Sequence, residues 1–127
     1  MESILLGEME ARFAGIIWDA APVSSGALVT MCAERLGWKK STTYTMLKRL
    51  CGKGLFANVN GTVTTLLTKA EVSAVQSESF VDKNFEGSLP RFLTAFTSRK
   101  KLDAAELDEI ARLIAAYREA EAGEAHE

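Results

Sequence analysis

In the stretch GWKKSTTYTMLKRLCGKG, residues 37–54, short hydroxyls and cations crowd together with no carboxylate among them. Ser41, Thr42 and Thr45 supply hydroxyl groups, Lys48 and Arg49 supply charge, and Lys39 and Lys40 stand just ahead. Such groups hold anions and polar edges. Hydroxyls near a helix start can bond phosphate oxygens or base edges, where exposed backbone N–H groups and the helix dipole also favour an anion. A threonine methyl can touch the thymine methyl, and Lys or Arg can address guanine in the major groove. Threonine is a mediocre helix former, so a helix chosen only for stability would carry Ala, Glu or Gln there. The chemistry indicated is recognition of a nucleic acid.

Other chemistries find no support. The single histidine, His126, lies in the tail, and neither Cys32 nor Cys51 has a neighbouring base in the sequence. No glycine-rich phosphate loop follows a strand. The chain is therefore expected not to be an enzyme and to need no metal or cofactor. Both cysteines sit among apolar neighbours in helical patterns, and are expected to be reduced and buried, as suits a cytoplasmic protein. No apolar run approaches the roughly 20 residues of a membrane helix. The N-terminus lacks the basic region of a signal peptide. No membrane insertion is expected.

The composition, 47% hydrophobic and 25% charged over 127 residues, is that of one globular domain or a small domain with an appendage. The net charge of −2 conceals an uneven distribution. Residues 35–69 hold Arg35, Lys39, Lys40, Lys48, Arg49, Lys53 and Lys69 and no acid, whereas from Glu71 onward twelve acids face seven bases. That pattern suits a polyanion contact on one face, and equally an ordinary solvated helix face.

These residues need elements to hold them. Helices are expected over about 7–20, 25–36 and 41–53, with Ser24 or Ser25 capping the second and Gly37 and Gly54 stopping the second and third. Residues 55–59 and 62–67 are rich in branched side chains and flank Asn60-Gly61, the strongest short hairpin signal. Three helices and a hairpin give a mainly α fold, a winged helix-turn-helix domain over residues 1–68. Helices are then expected over about 69–85, 89–98 and 103–122, with Asp103 and Glu106 spaced as a capping box. Residues 69–127 would form a helical dimerisation region ending in a frayed acidic tail. The apolar set Phe80, Phe85, Leu89, Phe92, Leu93, Phe96, Leu107, Ile110, Ile114 and Tyr117 is too large for isolated helices to hide.

At 100° per residue, Thr43, Met46, Leu47 and Leu50 fall on one face of the third helix and must pack inward. Ser41, Tyr44, Thr45, Lys48 and Arg49 then point outward. Tyr44 suits either a base contact or a half-buried lid, while Lys39 and Lys53 also suit solvation of helix ends. Trp18 and Trp38 read as core anchors.

The same residues resemble the penicillinase repressor family of winged-helix regulators. Ile16-Ile17-Trp18 looks like the end of that family's first helix. Gly37-Trp38, Ser41-Thr42-Thr43, Leu47-Lys48-Arg49-Leu50 and Lys53-Gly54-Leu55 resemble its signature, and residues 80–96 and 102–114 are similar to its dimerisation region and last helix. The resemblance implies a homodimeric repressor whose paired recognition helices read an inverted-repeat operator in double-stranded DNA. It also implies release when a membrane-bound sensor metalloprotease cuts the dimerisation region. The family's Asn-Phe cleavage position appears here as Ala95-Phe96. The wing, residues 55–68, has none of the family's usual basic residues, which leaves phosphate anchoring there to Asn58, Asn60 and threonine hydroxyls. The paired cysteines with which copper-responsive relatives bind metal are missing. Two other readings compete: a ligand-sensing MarR-like regulator, and a winged domain used only for protein–protein contact.

Overall fold

A computed structural model describes residues 5–125 of the chain; the first four residues of the N-terminal stretch and His126 fall outside them. The chain divides into two compact units, one ending at Gly87 and the other beginning at Ser88. The first contains α1 (Glu8–Ala20), β1 (Val23–Ser24), α2 (Ser25–Leu36), α3 (Lys40–Gly52), β2 (Phe56–Val59), β3 (Thr62–Thr65) and α4 (Lys69–Phe85). The second contains α5 (Leu89–Arg99) and α6 (Ala104–Ala125). The architecture is a mainly α winged helix-turn-helix fold followed by further helices.

Local chemistry sets the element ends. Ser24 Oγ accepts the Ala27 N–H at 3.0 Å and starts α2, and Gly37 at φ 67° ends it. Past α3, Gly54 takes φ 88°, the Leu55 N–H returns to the Leu50 carbonyl and the Gly54 N–H to that of Cys51. These paired bonds satisfy carbonyls that the helix leaves open. Asn60 and Gly61 both adopt positive φ, 52° and 81°, and close the β2–β3 hairpin as their types require. Thr68 and Glu71 form a reciprocal capping box on α4 that had no counterpart among the sequence expectations. The Thr68 N–H, and then the Thr68 hydroxyl, hold the Glu71 carboxyl below its ordinary value.

β1 was not expected either. It has two residues, too few for any alternation to register, yet it pairs antiparallel with β3 through Val23↔Val63 and Ser24↔Thr62. The sheet order is β1-β3-β2. Phe13 and Ile17 of α1, Leu28 and Cys32 of α2, Leu47 and Leu50 of α3, and Leu55, Phe56 and Val63 at the wing base form one buried core. Val72 of α4 joins that core at 1% exposure, so the compact unit extends past residue 68. Both tryptophans are half-buried at its edge. Trp38 packs on Phe13 at 5.2 Å between ring centroids, and Trp18 packs on Phe56 while its Nε1–H donates to the Leu67 carbonyl.

Lys53 does more than solvate a helix end. Its Nζ lies 2.9 Å from Glu10 Oε2 and donates to the Leu5 carbonyl at 3.0 Å, tying the end of α3 to the start of α1. Burial pushes the Glu10 carboxyl up, but the Lys53 hydrogen bond, the Gly7 N–H and the charges of Lys53 and Arg49 outweigh it and leave the pKa lowered. A lowered carboxylate pKa stabilises the fold above the unfolded value and ceases to do so as pH falls through the folded one. Lys53→Ala is expected to cost about 1–2 kcal/mol at neutral pH, between the exposed and buried limits for an ion pair. The difference from wild type should shrink as pH falls below the ordinary carboxylate range and Glu10 protonates. Denaturant titrations at pH 7 and pH 3 check this. An equal loss at both would mean that only packing had been removed.

In the second unit, Ser88 Oγ accepts the Arg91 N–H and starts α5, with Pro90 in its first turn. Asp103 Oδ1 accepts the Glu106 N–H at 2.8 Å, the cap expected for α6. That helix continues through Gly123 to Ala125 rather than stopping near residue 122. An exposed glycine inside a helix costs only about 1 kcal/mol. No described side chain of α5 or α6 is buried, although Phe92, Leu93 and Ile110 are half-buried.

Candidate nucleic-acid interface

Helix α3 presents the two faces that its periodicity demands. Thr43, Leu47 and Leu50 are buried and Met46 is half-buried. Ser41, Thr42, Thr45, Lys48 and Arg49 are exposed, as are Lys39 and Lys40 at its start. Thr43 shows why not every hydroxyl of this helix is a contact. It is 1% exposed, and its Oγ1 donates to the Lys39 carbonyl at 3.2 Å, which satisfies the hydroxyl within the core.

Ser41, Thr45, Lys48 and Arg49 follow i, i+4, i+7 and i+8, so they form one stripe along the exposed face. Lys48 stands on the wing side, where it lines a cleft of about 380 Å³ with Tyr44, Leu47, Cys51 and Asn58. Arg49 is close enough to Glu10 for its charge to lower that carboxyl. The Glu10–Lys53 pair neutralises Lys53. Lys39, Lys40, Lys48 and Arg49 form no ion pair with a carboxylate among the described residues. The positive potential of the face rests on these four.

The wing brings Asn58 to the surface beside α3 and leaves Asn60 exposed at its turn, and the described hairpin has no charged side chain. Val59, at its tip, is 63% exposed. Tyr44 is half-buried, and its hydroxyl donates to Ser25 Oγ at 3.1 Å, so its single proton is already engaged. Sequence reasoning missed Ser25 in this setting. Its partner lies in another helix, and no periodicity links the two.

Burial pushes both thiols up, with Thr43 and Arg35 opposing it at Cys32 and the Asn58 N–H opposing it at Cys51. A raised thiol pKa withholds the nucleophilic thiolate. Among the described residues no group of acidic, cysteine and histidine side chains could hold a metal ion. No helix among them is long and apolar enough to cross a membrane. The arrangement can bind a polyanion through an exposed helix face and an adjacent hairpin.

Comparison with known proteins agrees with this geometry. The profile of the penicillinase repressor family matches residues 6–116, which takes in both units. The penicillinase repressor of Bacillus licheniformis is 23% identical over 113 residues, covering 86% of this chain and 88% of that protein. The family match spans the α3 stripe, the hairpin, α4, α5 and the first part of α6. The chain belongs to the penicillinase repressor family, as a winged helix-turn-helix regulator of transcription and not an enzyme.

Proposed function

We propose that the chain acts as a homodimer on an inverted-repeat operator, with α3 of each protomer entering the major groove and the wing resting on the adjacent backbone. The carrying observation is the exposed stripe of Ser41, Thr45, Lys48 and Arg49, with no carboxylate paired to its cations. Thr42 and Tyr44 flank it. Lys39 and Lys40 reach phosphates, and the Asn58 and Asn60 amides do so from the wing. Residues 69–127 serve as the dimerisation region, supported by a two-helix unit in which no described side chain is buried. A sensor metalloprotease in the membrane ends repression by cutting at Ala95–Phe96, in a system resembling the response to beta-lactams.

A mobility-shift titration on random-sequence duplex tests the polyanion contact. Binding should weaken as salt rises, by about 0.9 in log K per log salt for each phosphate neutralised. No duplex binding at low salt would refute the reading and leave a domain that contacts only other proteins. Specific sites recovered from a random pool should be palindromic, with half-sites about one helical turn apart or a multiple of it.

A further inference from the structure

Ser25, the first residue of α2, touches both elements of the reading face. Its Oγ accepts the Tyr44 hydroxyl of α3 at 3.1 Å, and its backbone N–H donates to the Gly61 carbonyl of the wing turn at 2.8 Å. A Cβ added on Gly61 would lie 3.8 Å from the same Oγ, so the hydroxyl faces the turn. Elsewhere the wing is tied to the body nearer its base, through the pairs Val23↔Val63 and Ser24↔Thr62, the buried Phe56 and Val63, and the Asn58 N–H beside Cys51. The serine therefore joins the recognition helix to the tip of the hairpin.

The geometry points to Ser25 as a positioning residue for DNA binding, acting through a Tyr44–Ser25–Gly61 chain that fixes the wing turn against α3. This rests on the reading of α3 and the wing as the DNA face. The reason lies in the wing's lack of charge. A basic wing is drawn to phosphate over roughly a Debye length, about 8–10 Å. The Asn58 and Asn60 amides act only at hydrogen-bond distance, about 2.7–3.2 Å, and lose their contact if the turn drifts by an ångström or two. A neutral wing is useful only when it is held in place beforehand, and pre-organisation of this kind lowers the ordering cost of binding. Tyr44 accordingly acts on the wing through Ser25, by the hydrogen bond that engages its hydroxyl.

Tyr44→Phe, Ser25→Ala, the double variant and Ser25→Thr, all in the full chain, test the proposal with two readouts. The first needs no DNA: amide hydrogen exchange at Asn60, Gly61 and Thr62 should accelerate about five- to tenfold in Tyr44→Phe and Ser25→Ala, as for loss of one hydrogen bond. The second uses a duplex selected by the wild-type chain from a random pool. Each single variant should bind it about five- to tenfold more weakly, with the double variant no worse than the singles. Hydroxyl-radical protection should fade at the wing-side phosphates while persisting along α3. Ser25→Thr, which keeps the hydroxyl, should restore both readouts. Unchanged exchange in the wing turn overturns the proposal, and so do additive losses of affinity, which would mean that Tyr44 and Ser25 meet DNA separately. If the wild-type chain selects no duplex, the DNA reading falls on its own, while the exchange measurement still decides whether Ser25 holds the wing.

Discussion

A chain in which Ser41, Thr45, Lys48 and Arg49 are all replaced by alanine should fold normally and lose sequence-specific binding by about a hundredfold or more. Each of these side chains is exposed, so removing it leaves the core of Leu47 and Leu50 intact. A bidentate contact from Lys48 or Arg49 to guanine is worth about 1–3 kcal/mol of discrimination. Loss of that contact in Lys48→Ala or Arg49→Ala alone should relax preference at one operator position. Lys39→Ala has a different expected signature, because a phosphate contact carries no sequence information. It should lower the salt slope by about one per contact and leave the preferred sequence unaltered. Fluorescence anisotropy over a salt series, on selected and scrambled duplexes, separates the two behaviours. Unchanged binding by the fourfold variant would remove α3 from the recognition role.

The second large effect lies in the C-terminal unit. The full chain should sediment as a dimer at micromolar concentration, and the double substitution Leu107→Glu, Ile114→Glu should make it monomeric. In one protomer Leu107 is 52% exposed, Ile114 49%, Leu113 69% and Tyr117 67%, an apolar surface that water would solvate poorly. Obligate interfaces resemble a core cut in half and commonly bury more than about 2,000 Å² in total. Carboxylates placed there would be desolvated without partners. Operator affinity should fall by about two orders of magnitude or more, because each half-site is then held by a single domain without the effective concentration that linkage supplies. Cutting between Ala95 and Phe96 should have the same result by removing α6. Both residues lie within α5, where the Phe96 carbonyl accepts the Lys100 N–H, so the helix must open locally before a protease can engage it. Mass spectrometry of the repressor from induced cells reads this directly. An intact chain that has left its operator would point to a bound ligand instead. A monomeric full-length chain would refute the dimer.

Elements with local signals were legible in the sequence. Ser24 before α2, the Asn60-Gly61 turn and the spacing of Thr43, Met46, Leu47 and Leu50 each act within a few residues, and each led to the observed element. The exposed face of α3 follows from that same periodicity. What escaped were pairings across the chain. Lys53 looks like any basic residue at a helix end until Glu10 is brought 2.9 Å from it by tertiary packing. The Tyr44 hydroxyl's partner escaped because nothing in its own helix reveals Ser25. β1 escaped for another reason: two residues gain strand character only from the β3 edge they meet.

That no described side chain of α5 or α6 is buried has a consequence for how the repressor responds to its own abundance. If the partner protomer supplies the missing core, ordering of this unit and pairing of protomers are one equilibrium, governed by protein concentration. Below the pairing midpoint, the concentration of the species able to span both half-sites varies as the square of the chain concentration. Halving the chain by dilution as cells grow would then cut that species about fourfold, and the unpaired helices would be open to general proteases. Such a repressor would clear from its operator more sharply than its own rate of loss.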